Sequence, residues 1–169
     1  DEPTAANVWL ARGSLLLQQG RFADGESALS EALQHAKGQL NEPMQLQALA
    51  GQVEARLALN ETDRAKDVFA ELEKRAPNAP ITRLFKARFE IANGDFGAAV
   101  TTLTTLTNDL PGFVPARFLL GTALMAQGNL YQAERQLATV VQANPDNIDA
   151  RRRLAEIKLR MNRPESAME

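Results

Sequence analysis

The residue types that most often carry catalysis are scarce in this sequence. There is no cysteine, which excludes a thiolate nucleophile, a disulfide bond and a zinc site built from cysteines. His35 is the single histidine, so no second imidazole is available to share a metal ion with it. The serines Ser14, Ser27, Ser30 and Ser166 all lie outside the G-x-S-x-G pattern that exposes a catalytic serine. We therefore predict no catalytic nucleophile and no metal site.

Paired carboxylates and glycine-rich loops do not indicate a catalytic or phosphate-binding site either. Glu71 and Glu73 stand two residues apart, and side chains at that spacing on a helix point in different directions. The glycines between Gly94 and Gly128 are spread over predicted turns and helix contacts, so they do not form one phosphate-binding loop. The sequence therefore predicts a protein that is not an enzyme and that has no cofactor.

The one concentrated run of charge is basic. Arg151 to Arg153 stand together and more basic residues follow, but Asp149 and Glu156 are interspersed. A solvated helix face and a contact with an acidic partner both remain open for this run. The net charge of −2 argues against nucleic acid as the main partner. No stretch approaches the roughly 18 consecutive apolar residues of a membrane helix, so we predict no transmembrane segment.

Composition and periodicity predict helices as the elements that position these residues. Hydrophobic residues make up 44% of the 169 residues and aromatic ones only 5%, and Ala, Leu, Gln and Glu favour helix. Three series of residues recur at intervals of 34 residues. They are Pro77, Pro111 and Pro145; Ala65, Ala99, Ala133 and Ala167; and Asn60, Gly94, Gly128 and Asn162.

Each repeat is predicted to run helix, turn, helix, turn. Between residues 116 and 127 apolar residues recur every three or four positions, which is typical of one face of a helix. Gly128 can take the left-handed conformation that ends this helix, and Asn60 and Asn162 are tolerant of it in the equivalent places. A second helix from Tyr131 ends before Pro145, which disfavours helix in the residue ahead of it.

The spacing resembles that of the tetratricopeptide repeat, whose 34-residue pattern runs W-x2-L-G-x2-Y, then A-x3-F, then P. The fitting residues are Trp9, Gly13 and Leu16 in one repeat, Ala65, Phe69 and Pro77 in the next, and Leu120, Gly121, Leu124, Ala133, Leu137 and Pro145 in a third. Arg12 departs from the pattern, which has Leu there. The resemblance implies an all-α, right-handed superhelical solenoid of antiparallel helix pairs with about 4.5 repeats.

We interpret residues 1–169 as a single array. The repeats lie at about 6–39, 46–79, 80–113 and 114–147, followed by a truncated repeat at 148–169. Gly20 precedes Asn60 by 40 residues rather than 34, so we predict a lengthened loop at about 37–45. Because the last repeat lacks most of its second helix, we expect a segment of a longer protein and keep self-association through this repeat as an alternative.

The family forms its concave, partner-binding face from the second, fifth, ninth, twelfth and thirteenth residues of each repeat. By resemblance, the partner-binding candidates are Asn7, Leu10, Ser14, Gln47, Glu54, Leu84, Arg88, Ile91, Phe118, Thr122 and Met125. The apolar twelfth positions, such as Ile91 and Met125, fit either a groove or the core between repeats, and both interpretations stay open. Among the candidates we expect Leu84 and Phe118 to be the strongest contacts.

From about Leu46 onward, the sequence is similar to the C-terminal arrays of large bacterial tetratricopeptide lipoproteins that accompany PEP-CTERM exosortase and exopolysaccharide systems. The similar runs are 76–80, 94–99, 120–129, 132–134 and 144–147, together with Ala150, Arg151, Leu154 and Ala155. This resemblance implies a periplasmic or outer-membrane-associated location, while a cytoplasmic one stays open.

Two functions remain in competition at this point. The first is a non-catalytic scaffold that binds a protein or peptide partner along the concave face, where an apolar groove suits an amphipathic segment. The second is a substrate-positioning or regulatory segment of a larger multidomain enzyme, such as a glycosyltransferase, or of a transcription regulator. The unbroken period and the lack of catalytic groups favour the first.

Overall fold

The computed structural model describes residues 5–36 and 40–161 of the chain. Within these residues the structure is all-α, as predicted, with nine helices and no strand. The helices are α1 (Ala5–Gln18), α2 (Phe22–Gln34), α3 (Glu42–Ala58), α4 (Thr62–Arg75), α5 (Pro80–Ala92), α6 (Phe96–Asp109), α7 (Val114–Ala126), α8 (Leu130–Ala143) and α9 (Ile148–Arg160).

The chain divides into two compact halves, which we call the N-terminal half (residues 1–82) and the C-terminal half (residues 83–169). In the N-terminal half α1 packs on α2, α2 on α3 and α3 on α4, and α1 also contacts α3. In the C-terminal half the same sequence of contacts joins α6, α7, α8 and α9, and α7 also contacts α9. Within each half, therefore, helices pair with their neighbours in sequence and the first helices of adjacent repeats touch.

Three of the second helices end at the same distance ahead of a proline. The helices α4, α6 and α8 end two residues before a proline, and the residue in between has a φ of −142°, −131° and −142° respectively. The proline ring excludes the α conformation from the residue ahead of it, so the chain must leave the helix there. The predicted stop at Pro145 is confirmed.

The turns between paired helices use the left-handed conformation. Gly128 has a φ of 79° and Asn60 has a φ of 61°, as the sequence predicts for both residues. After each of them an N–H reaches back to a carbonyl five residues earlier: Asn129 to Leu124 at 2.9 Å and Glu61 to Arg56 at 2.8 Å. These bonds satisfy carbonyls that the helix end leaves unpaired. Asn162, the third residue predicted for this role, lies outside the described residues.

Glycine at the eighth position of a repeat lets paired helices approach closely. A Cβ atom on Gly13 would lie 2.7 Å from Cγ of Leu29, and one on Gly121 would lie 2.7 Å from Cγ of Leu137. Both leucines are buried, so neither can move aside without disturbing the core. These two glycines therefore have a packing role.

Part of the predicted loop at 37–45 is helical. Residues 42–45 form the first turn of α3, which at 17 residues is longer than the other helices of 13 or 14. Asn41 caps this turn by accepting a hydrogen bond from the N–H of Met44 at 3.0 Å, and Pro43 occupies the first turn, where its missing N–H costs nothing. Residues 37–39 lie outside the described residues.

Candidate functional site

The residues predicted for the concave face lie on first helices. Asn7, Leu10 and Ser14 are on α1, and Gln47 and Glu54 are on α3. The remaining candidates are on α5 (Leu84, Arg88 and Ile91) and on α7 (Phe118, Thr122 and Met125). Because the two halves are separate compact bodies, we describe the candidates in each half by themselves.

In the N-terminal half the accessible candidates are polar. The amide Nε2 of Gln47 lies 3.5 Å from Oγ of Ser14, which joins α1 to α3 through two predicted residues. Gln47 and Glu54 are exposed, whereas Ser14 and Asn7 are half-buried. This surface offers hydrogen-bonding groups and one carboxylate to a partner.

In the C-terminal half the accessible candidates are apolar or cationic. Phe118 is half-buried, and the guanidinium carbon of Arg153 on α9 lies 5.5 Å from the centre of its ring. This distance is within the range at which a cation is attracted to an aromatic face. Thr122 donates a hydrogen bond to the carbonyl of Phe118 at 3.0 Å, so its hydroxyl is turned to its own helix.

Among the candidates on α5, Arg88 is the exposed one. Its guanidinium carbon lies 5.9 Å from the centre of the buried Phe85 ring, and Ile91 is half-buried on the same helix. A side chain that rests its stem on an aromatic ring keeps its charge at the surface with little conformational freedom to lose on binding. Arg88 is therefore a cation available to an acidic group of a partner.

Three of the candidates are core residues in this structure. Leu10, Leu84 and Met125 have only 6%, 8% and 8% of their surface exposed. Their side chains present little surface in this structure. At Met125 and Leu84 the apolar positions are therefore buried rather than open to solvent. That Leu84 is a leading contact stays a prediction.

Arg153 lies beside a candidate residue and is not among the residues predicted for the concave face. The sequence places it only in the basic run at 151–153, whose Arg152 pairs with Asp149 at 2.9 Å on an exposed face. The signal was present in the spacing, since Arg153 follows Phe118 by 35 residues, one period plus one. That spacing places it on the next first helix, and α7 does contact α9.

The described part of the chain holds no group of three or more His, Cys, Asp or Glu residues placed to bind a metal ion. Among the same residues, no helix combines the length and the apolar character that crossing a membrane requires. His35, at the end of α2, has Nε2 at 3.5 Å from the carboxylate of Glu31, and both side chains are exposed.

Known proteins with this architecture are similar in fold and distant in sequence. A structure of MamA (residues 41 to the end) from Desulfovibrio magneticus RS-1 has a TM-score of 0.69 and 20% identity, covering 97% of this chain and 89% of its own. The thermophilic TPR protein TTC0263 of Thermus thermophilus has a TM-score of 0.74 and 22% identity, covering 97% and 87%. For pilF of Pseudomonas aeruginosa the TM-score is 0.75 and the identity 15%, covering 97% and 72%.

No curated protein sequence matches this chain. The tetratricopeptide repeat family, in contrast, matches along nearly the whole length, at residues 10–80, 51–109, 90–146 and 124–169. These matches agree with the helix pairs, the left-handed turns and the proline stops described above. The chain belongs to the tetratricopeptide repeat family, whose members are scaffolds that bind protein partners.

Proposed function

We propose that the protein is a non-catalytic scaffold that binds a partner segment through the accessible first-helix residues, above all those of the C-terminal half. The observation that carries this proposal is the half-buried Phe118 with the guanidinium of Arg153 over its ring. An aromatic ring and arginines are the side chains that most often dominate binding energy at protein interfaces.

The chemistry of these residues favours one kind of segment. Phe118 and Ile91 offer apolar surface, and Arg88 and Arg153 offer positive charge. An amphipathic partner with an apolar residue next to a carboxylate would satisfy both groups at once. In the N-terminal half, Ser14, Gln47 and Glu54 would add hydrogen bonds rather than apolar contact.

The experiment is capture of partners by the intact protein, compared with two aromatic variants. Phe118→Ala is expected to reduce the captured partner about tenfold or more, the effect of losing a central aromatic contact. Tyr131→Ala is the matched control, because Tyr131 is 75% exposed on the second helix α8. Circular dichroism of both variants reports whether the fold is intact. Equal capture by the two folded variants would contradict the proposal.

A charge variant tests the same face without altering the core. Arg88→Glu reverses an exposed charge, and we expect it to weaken capture of an acidic partner more strongly at low salt than at high salt. Arg64→Glu is the control, because Arg64 is exposed on α4, a second helix. If both reversals weaken capture equally, charge on this face does not select the partner.

We further propose that the scaffold works in a bacterial envelope, in an exopolysaccharide or protein-sorting system. The support is the sequence similarity of residues 76–80, 120–129 and 144–147 to the envelope lipoproteins described above. Cell fractionation of the source organism with an antibody against the protein tests this location. Recovery in the cytoplasmic fraction alone would contradict it and would leave the binding proposal intact.

A further inference from the structure

Two residues of α1 hold a cation against an aromatic ring outside the predicted binding face. The guanidinium carbon of Arg12 lies 5.1 Å from the centre of the Trp9 ring, within the range at which a cation is attracted to an aromatic face. Trp9 and Arg12 are the fourth and seventh residues of their repeat, so neither occupies a face position. Arg12 stands where the tetratricopeptide pattern has leucine, so this pair is a feature of this chain rather than of the family.

The pair lines an open hollow between α1 and α2, which we call the Trp9 hollow. On α2, residues 24, 28 and 31 stand at intervals of four and three, so they lie on one face of that helix. The hollow thus has an aromatic ring on its α1 side and carboxylates on its α2 side. Its volume is about 420 Å³, and it is lined by Trp9, Arg12, Asp24, Ser27, Ala28 and Glu31.

The charge around the Trp9 hollow favours a positive ligand. Helix α2 carries Asp24, Glu26 and Glu31 and has no lysine or arginine within its bounds. Two of these carboxylates line the hollow, and among the lining residues Arg12 is the one cation. The charged lining therefore has an excess of negative groups, and its cation is already engaged with the ring of Trp9.

Each lining carboxylate keeps one oxygen for a ligand. Arg21 donates two hydrogen bonds to Asp24, and both go to Oδ2, at 2.9 and 2.6 Å. His35 lies 3.5 Å from Oε2 of Glu31. Oδ1 of Asp24 and Oε1 of Glu31 are therefore the acceptors on offer, and the exposed hydroxyl of Ser27 adds a third.

Arg12 indicates which kind of group the Trp9 hollow accepts. Its side chain is exposed, so its guanidinium occupies a place that a cation from solution can also reach. An exposed cation is held only weakly on an aromatic ring. The long stem of an arginine also lets the charged group turn outward into water when another group takes its place.

We propose that the Trp9 hollow binds an arginine or lysine side chain of a basic partner segment. The cation of that side chain replaces the Arg12 guanidinium on the ring of Trp9 and donates hydrogen bonds to Asp24 and Glu31. An acidic segment is disfavoured, because its carboxylate would meet two carboxylates and one arginine. The inference goes beyond the function proposed above, in which residues of the C-terminal half take an acidic segment. The two sites select opposite charges, so they take different partner segments.

The test is a fluorescence titration of the full chain. Trp9 is the only tryptophan, so its emission reports on the hollow alone. The probe is a peptide of alternating glycine and arginine residues, compared with a glycine–glutamate peptide of equal length. The arginine peptide is expected to change the Trp9 emission saturably, and the glutamate peptide is expected to leave it unchanged. No saturable change with the arginine peptide, or a saturable one with the glutamate peptide, would overturn the proposal.

Three substitutions separate binding in the Trp9 hollow from general attraction to a negative surface. Glu31→Gln is expected to weaken binding of the arginine peptide about fivefold. Asp63→Asn is the matched control, because it neutralises an exposed carboxylate on α4, and it is expected to leave the affinity unchanged. Arg12→Ala is expected to strengthen binding about threefold, since it removes the competing cation.

Circular dichroism establishes that all three variants are folded, and each outcome of the titrations then decides the question. A loss for Glu31→Gln together with a gain for Arg12→Ala supports the proposal. Equal affinities of the Glu31→Gln and Asp63→Asn variants would contradict it. So would weaker or unchanged binding by the Arg12→Ala variant, because Arg12 would then not compete with the ligand for the ring.

Discussion

The two halves of the protein follow one packing rule and present different surfaces. In the N-terminal half the accessible first-helix residues Ser14, Gln47 and Glu54 are polar, and in the C-terminal half Phe118 lies under the guanidinium of Arg153. In both halves, a glycine at the eighth position of a repeat brings paired helices together. The repeat thus determines where side chains point, and the residue type at each position determines what they can bind.

In the N-terminal half, polar bonds join successive repeats. Between α2 and α3, Arg56 pairs with Glu26 at 2.8 Å and Gln52 donates to Ser30 at 2.7 Å. Arg56 also donates to the carbonyl of Arg64 on α4 at 3.0 Å. Polar bonds of this kind specify one register of two helices.

The largest expected effect tests the close approach of paired helices at the eighth-position glycine, which both halves share. Gly13→Ala and Gly121→Ala should each lower the free energy of unfolding by about 2 kcal/mol, because the new methyl group would overlap a buried leucine. Gly97→Ala is the control on α6, where the nearest atom to a new Cβ is 3.7 Å away, and it should raise stability by up to about 1 kcal/mol. Urea unfolding measures all three. A neutral Gly13→Ala beside a costly Gly121→Ala would show that the halves do not pack alike.

An intermediate effect is expected for the polar contacts of the N-terminal half. Arg56→Met should lower the free energy of unfolding by about 1–2 kcal/mol, since it removes the guanidinium donor from the partly buried Glu26 and from the carbonyl of Arg64. Arg152→Met removes the exposed pair with Asp149 and should cost under about 0.5 kcal/mol. Urea unfolding at two salt concentrations compares them. Equal losses would mean that the α2–α3 contacts are no more specific than a surface ion pair.

The smallest effect compares the turns of the two halves. Asn60→Ala should cost about 1 kcal/mol, because alanine lacks the side-chain amide that makes a φ of 61° tolerable, and Asn60→Gly should be nearly neutral. Gly128→Asn, at a φ of 79°, should cost less than Gly128→Ala. Thermal unfolding of the four variants checks this order. If Asn60→Ala has no effect, the N-terminal turn does not need the residue that the period places there.

Much of the fold follows from residues that act locally. Pro145 and Gly128 end helices through their own backbone chemistry, so the sequence predicts both ends correctly. The start of α3 does not follow from the repeat pattern, because its cap Asn41 and the first-turn Pro43 lie in the extra residues between repeats. The sequence therefore predicts loop where the structure has the first turn of α3.

The sequence predicts which helix face the candidate residues occupy, but it does not predict which of them are exposed to solvent. Ser14 and Gln47 come within 3.5 Å of each other, as residues of one face should. Leu84 and Met125 occupy face positions and are nevertheless buried, while Arg153, taken for part of a charged run, covers Phe118. An apolar stripe on a helix has the same sequence pattern whether a groove or a neighbouring helix receives it.

The sequence by itself determines the period, the helix pairs and the turns, because each depends on the backbone preferences of the residues that form it. Only the tertiary structure decides which face residues remain accessible, that Arg153 covers Phe118, and that Trp9 and Arg12 line one hollow with the carboxylates of α2. Exposure is a property of what packs against a residue, and that neighbour lies a whole repeat away along the chain.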